Sequence, residues 1–326
     1  NGFLTALTAF TASGLLAGVL LRGQHLHPLL PLALGGMLTT SLVLADLVAG
    51  GQLLITSPLG YSAIVGARYY GIGNEYVGVL LGASLVAVTA LAELVTALWA
   101  EPGKGAGSSA AISSPTHWLL VLLLAVACGA VVLLAAAPAY GANFGGTAAG
   151  VAGVAIALWS SGRRGIGLRE LLTTGVLVLS AVLLLGWWDL SRPAQVQTHI
   201  GRAFQSILAS GPAVLWEIVR RKLAMNYRLF RLTLWSRVLV ASLAVFTVLV
   251  YRPVGVFARV ARRYPYLTAG LHGVAVLSVV ALLANDSGVV FAALSMVYGV
   301  SALIYVVATE LITLMGRDTS GTVEDC

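Results

Sequence analysis

The 326-residue chain is 59% hydrophobic and only 10% charged, with a formal net charge of +7 and a mean hydropathy of +0.93. A soluble domain carries roughly 25% charged residues, so this composition excludes a soluble protein for most of the chain. Two cysteines, Cys128 and the final Cys326, exclude a disulfide framework or a cysteine metal site; the basic residues lack the aromatic interleaving of a nucleic-acid surface and suit loops that meet anionic headgroups.

Apolar runs of about 20 residues recur along the chain, the length that a ~30 Å hydrocarbon core requires. In lipid such runs must satisfy their own backbone, so they are helices. The ~10-residue alternating segments of a barrel do not occur. The sequence therefore predicts an all-α polytopic transmembrane bundle forming a single domain over residues 1–326, with about nine membrane helices plus interfacial amphipathic helices.

The first two spans are predicted near residues 3–21 and 29–48; a start at Asn1 without Met or a charged leader reads as a fragment or processed product. Residues 49–75 are Gly-rich and lead into a third span near 76–98. Residues 99–116 read as a flexible cytoplasmic linker of small polar residues. Spans near 117–137, 147–160 and 171–188 follow. Residues 189–235 form a long extracytoplasmic amphipathic segment, in which Trp216, Leu223, Tyr227, Phe230 and Trp235 supply apolar anchors and Arg220, Arg221, Lys222, Arg228 and Arg231 supply charge. The last spans lie near 236–251, 267–284 and 289–313.

Short loops holding Arg22, then Arg163, Arg164 and Arg169, then Arg252, Arg259, Arg262 and Arg263 alternate to one side, which the positive-inside rule makes cytoplasmic. Asn1 is then extracytoplasmic and the C-terminal tail cytoplasmic. The basic 189–235 segment sits outside against the rule, as long loops often do. Under this topology four polar groups fall on the extracytoplasmic side and predict a shared pocket. They are Ser57 to Tyr61 with Gly66 to Glu75, then Tyr140 to Gly146, then Trp187 to Arg202, and finally Asn285 to Gly288.

Within the first group, Arg68, Tyr69, Tyr70 and Asn74 are candidate substrate-binding residues and Glu75 a candidate catalytic carboxylate. Arg68 also suits snorkelling and the tyrosines an aromatic belt, but Gly66, Gly71 and Gly73 point to tight backbone geometry. Asn74 and Glu75 equally suit the start of a helix. Asn143 is a binding candidate in a GANFGG stretch whose Gly141-x3-Gly145 and Gly146-x3-Gly150 spacings favour close helix packing.

Asp189 and Asp286 are further candidate catalytic carboxylates, and Asn285 and Ser287 candidate binding residues in what is also a good turn sequence. An Asp in so short an apolar hairpin is costly near lipid. His199 and Arg202 lie three apart, on one face of a helix. Flanked by Arg192 and Arg202, His199 is a poor metal ligand and a good general base beside a bound anion, and Arg forks suit phosphate. Asp46 is placed to join the pocket; Glu93 and Glu310 fall toward the cytoplasmic ends of their helices, within reach of loop arginines, and His272 suits an interhelical hydrogen bond.

The runs SPLGYSAIVGARYYGIGNE, GANFGG, DLSRPAQVQTHIGRAF and NDSG, in this order, resemble a family of uncharacterised bacterial polytopic membrane proteins. Some of its members carry an extracytoplasmic alkaline-phosphatase-like domain before the helices. A weaker similarity is to O-antigen ligases and polymerases, which have an Arg-x-x-Gly…Asn element matched by Arg68, Gly71 and Asn74. They also use Arg and His from a long outer loop, matched by Arg192, His199 and Arg202. The first family supplies no established activity; the gathering of the polar residues on one side, with the weaker similarity beside it, leads to the expectation of a plasma-membrane transferase or ligase acting on a lipid-linked, phosphate-bearing envelope precursor. Its partners would be membrane lipids, a polyprenyl-phosphate-linked substrate, and either partner membrane subunits or a phosphatase-like domain. No cofactor, metal or nucleic acid is expected. A transporter or flippase of an anionic substrate, and a non-catalytic anchor or assembly subunit, are the competing readings.

Overall fold

The computed structural model describes residues 27–57, 71–99, 115–161, 166–251 and 254–321. The predicted span at 3–21, most of the 99–116 linker and the candidates Arg68, Tyr69 and Tyr70 lie outside the described residues. All the regular structure described is helical, with one short 3-10 helix at Ala194–Val196 and twelve α-helices. They are α1 (Leu30–Val48), α2 (Gln52–Thr56), α3 (Asn74–Trp99), α4 (Pro115–Ala136), α5 (Phe144–Ser160) and α6 (Leu168–Leu190), then α7 (His199–Ser210), α8 (Pro212–Leu232), α9 (Trp235–Tyr251), α10 (Val256–Arg263), α11 (Pro265–Ala284) and α12 (Gly288–Gly321).

Six of these, α1, α3, α4, α6, α11 and the Gly288–Met315 part of α12, are long and apolar enough to cross a membrane. The chain is a multi-pass membrane protein. The expected nine spans are not all met among the described residues. Helices α5 and α9 have 17 residues each, about 26 Å of helix against a ~30 Å core. Helix α9 makes a seventh crossing only together with α8, and the two limbs meet at 93°.

Helix α3 is the centre of the bundle: 83% of its apolar window is buried, against 17% in α6, which leaves most of α6 facing lipid. Around α3 pack α1, α4, α11 and α12, while α5 sits between α4, α6 and α11. Small residues set these distances. Gly78 and Gly82, four apart on α3, lie against the Phe291 and Ser295 backbone of α12, where a Cβ on Gly82 would stand 2.8 Å from the Ser295 carbonyl oxygen. Gly153 of α5 meets Gly273 of α11 in the same way, with a Cβ on Gly273 only 2.6 Å from the Gly153 carbonyl. Without a hydrophobic drive between helices in lipid, such close approach maximises dispersion contact. Gly153→Leu is therefore expected to cost roughly 1–3 kcal/mol by overpacking, read as a lower melting temperature in detergent. Gly129→Leu, at a position whose added Cβ meets nothing within 4 Å, should leave it unchanged.

Candidate functional site

Three of the four polar groups tie themselves together at one end of the bundle. Gly71 adopts φ +75°, and a Cβ there would strike the Gly141 carbonyl, so the two loops run backbone against backbone. The Ile72 amide donates to the Gly141 carbonyl at 2.8 Å. Asn143 is the hub. Its Oδ1 accepts from the Gly146 amide at 2.7 Å and caps α5, and its Nδ2 donates to the Ile72 carbonyl at 3.1 Å and to Asn74 Oδ1 at 3.2 Å. Asn74 in turn donates to Ser287 Oγ at 2.7 Å. Asn285 is buried, its side chain filling the space left by the missing Cβ of Gly145. Close packing and polar contact, alternatives in the sequence, are both present here. Glu75 lies half-buried in the first turn of α3.

Helix α8 docks on this knot through Asn226, which the sequence does not mark, and Lys222, which it marks only as interfacial charge. Asn226 Nδ2 donates to the carbonyls of Leu282 at 3.0 Å and Asn285 at 2.7 Å, and its Oδ1 accepts from the Val289 amide at 3.3 Å. Four residues earlier on the same face, Lys222 Nζ donates to the Ala284 carbonyl at 2.7 Å and pairs with Asp286 at 3.3 Å. The exposed Asp286 therefore meets a cation from α8. Only the i, i+4 spacing of Lys222 and Asn226 hinted at this, because a lone buried Asn looks like any polar residue on a charged helix.

The remaining group centres on Asp189, wholly buried in the last turn of α6. Its Oδ2 accepts from the Thr198 amide at 3.0 Å, the Thr198 hydroxyl at 2.7 Å and the Gly201 amide at 2.7 Å, and its Oδ1 from Arg192 at 3.1 Å. A carboxylate facing the amides that open α7 is favoured by the helix dipole. Gly201 is required because a Cβ there would stand 2.9 Å from Asp189 Oδ2. Gln197 closes the loop with Nε2 on the Leu190 and Arg192 carbonyls at 3.1 and 2.9 Å. The Phe204 ring covers Gly186 and stands edge-on to Phe144, centroids 6.3 Å apart. That contact brings the third group to the first residue of α5, beside the knot.

Asp189 thus holds the first turn of α7, and His199 and Arg202 lie on that turn. After Gly211, with φ +76°, α8 doubles back. Between α7 and α8 lies an open groove of about 500 Å³ lined by His199, Arg202 and Ser206 on one side and Glu217 and Arg221 on the other. Two guanidiniums and one imidazole against one carboxylate suit an anion. Glu217 is missed in the sequence, and Arg221 reads there only as interfacial charge, because this second wall is supplied by a different helix; Ser206, on α7 itself, is unmarked. Among the described residues, no three His, Cys, Asp or Glu side chains converge to hold a metal ion.

Several other buried polar groups have structural partners. Asp46 accepts from the Leu53 and Leu54 amides at 2.9 Å each and caps α2; the same end holds the hydrogen bond from the Tyr76 hydroxyl to Ser57. At the opposite end Glu310 pairs with Arg263 at 2.7 Å, as a loop arginine was expected to do. Glu93 departs from that expectation: it accepts from the Tyr266 amide at 2.5 Å and so receives the start of α11. His272 meets Ser160 at 3.4 Å across α11 and α5, the interhelical role expected of it. Burial pushes the Tyr264 phenol up to about 12.

His27 is lowered, first by burial and then by the charge of Arg263, and its Nδ1 accepts from the Leu29 amide at 3.3 Å. A base lowered by folding is favoured neutral, so its contribution is fully present above the ordinary imidazole value of about 6.5 and is lost as the pH falls below it. Melting temperature should drop from pH 7.5 to 5, and His27→Gln should flatten part of that slope.

Comparison with protein-family models, with curated proteins and with solved structures found no match.

Proposed function

We propose that this multi-pass protein is a membrane transferase acting on a lipid-linked, phosphate-bearing envelope precursor, with the α7–α8 groove as its phosphate subsite. The observation that carries the reading is the convergence of His199, Arg202 and Arg221 on one groove, borne by helices seated on the end of the bundle where the polar motifs meet. In a glycan transfer, the acceptor hydroxyl oxygen bonds to the donor sugar carbon and His199 takes the hydroxyl proton. The bond from that carbon to the phosphate oxygen breaks, and its electron pair leaves on the phosphate. Arg202 and Arg221 stabilise the charge that develops there. Asp189 acts as a positioning residue. We place this end on the extracytoplasmic face of a bacterial plasma membrane because, among the described residues of the short arginine-bearing loops, Arg169, Arg259, Arg262 and Arg263 lie toward the other end. A polyprenyl-phosphate carrier suits a groove that opens beside an interfacial helix.

The test is turnover of polyprenyl-phosphate-linked substrates in proteoliposomes. His199→Ala is expected to reduce kcat by roughly 10²–10⁴-fold, and Arg202→Ala to reduce kcat and weaken binding of the donor. Unchanged turnover in both variants, or lipid-phosphate density far from α7 and α8, would sink the reading.

A further inference from the structure

Helices α8 and α9 meet at a 93° elbow. It lies at the far end of α8 from the groove. The elbow borders an open hollow of about 190 Å³ lined by Arg231, from the last turn of α8, and Arg237, from the first turn of α9. None of the described residues lining it is acidic. Two of the C-terminal carbonyls of α8, which would oppose an anion there, are engaged. The Thr233 hydroxyl donates to the Leu229 carbonyl at 2.8 Å and the Ser236 hydroxyl to the Phe230 carbonyl at 2.6 Å. Arg231 is steadied by the Tyr227 ring, with its guanidinium carbon 5.8 Å from the ring centroid. Beside these charges, Leu232 and Leu234 stand 77% and 69% exposed.

Together these features describe a ligand with two parts, a compact anion for the arginines and an apolar body for the leucines. Helix α8 is amphipathic and α9 is apolar, so the elbow is where the chain turns from the headgroup layer into hydrocarbon. Arginines at that depth meet phosphates, and leucines just beyond them meet acyl chains. A free phosphate would gain nothing from the leucines. We infer that the α8–α9 elbow is a binding site for the phosphodiester headgroup of an anionic phospholipid. This site is separate from the α7–α8 groove and does not depend on the function proposed for it.

The experiment is lipid retention by the whole protein. Protein reconstituted in nanodiscs of equal phosphatidylglycerol and phosphatidylcholine is extracted into mild detergent, and the bound lipid is counted by native mass spectrometry. The wild type is expected to keep phosphatidylglycerol over phosphatidylcholine by on the order of tenfold, as two arginines near a headgroup should provide. Arg231→Gln with Arg237→Gln should bring the two lipids level. Arg259→Gln with Arg262→Gln, on α10 at the opposite end, should leave the preference intact. Unaltered retention in the elbow double variant overturns the proposal. So does displacement of the lipid by millimolar inorganic phosphate, which would mark a soluble-phosphate site. Should the double variant fail to fold, Arg237→Gln alone is expected to lower the preference about threefold, and no change in that single variant overturns the proposal equally.

Discussion

Asp189→Ala is expected to detach the first turn of α7 and to cost about 3–5 kcal/mol, the range for removing one partner from a buried charged cluster. Four donors lose their acceptor at once: the Thr198 amide and hydroxyl, the Gly201 amide and the Arg192 guanidinium. The side chain is fully enclosed, so water cannot replace it without opening the α6–α7 junction. Asp189→Asn should lose less, because one amide oxygen still accepts, but its NH2 then faces donors. Hydrogen exchange of the amides of residues 198–204 checks this directly, with faster exchange in both variants and more in alanine. Unchanged protection of that segment would refute the anchoring role. Because His199 and Arg202 ride on this turn, turnover should fall with protection even though Asp189 lines no part of the groove.

Asn143→Asp should be at least as damaging as Asn143→Ala, although aspartate caps helices as well as asparagine does. The Oδ1 contact to the Gly146 amide would survive in the aspartate variant. The Nδ2 donor would not, and a carboxylate oxygen would face the Ile72 carbonyl and Asn74 Oδ1, both acceptors. Alanine instead loses the cap, about 1 kcal/mol, and leaves the Ile72 carbonyl without its side-chain donor, roughly 1–3 kcal/mol more. Melting temperatures of the two variants in one detergent at neutral pH order them. A clearly milder aspartate variant would mean that capping α5, and not the bridge to α3, is the main work of this side chain.

The same residues show why part of the site is legible in the sequence and part is not. Asn143, Asn285 and Ser287 are recognisable as unusual because they interrupt apolar runs at turns, where a polar residue is costly without a partner. Which residues they meet is set by helices far away in sequence: Asn74 to Ser287 spans α3 to α12. His199 and Arg202 are paired by helical spacing alone, whereas Arg221 reaches the groove only because Gly211 turns α8 back along α7. Asp189 looks like a free carboxylate until the Thr198 and Gly201 amides are folded onto it. Glu93 looks like a partner for a loop arginine until α11 starts beside it.

By itself the sequence determined that this is an all-α membrane protein and where most of its helices run, because burial in hydrocarbon demands unbroken apolar length and that is a local property. It also singled out four polar groups, three of which the fold ties together. Tertiary structure alone decided that α5 is a 17-residue helix held inside the bundle, that α8 and α9 meet at a right-angled elbow, and that Asn226 and Lys222 clamp the α11–α12 turn. Those outcomes depend on which surfaces come within hydrogen-bonding distance, and hydropathy carries no information about distance.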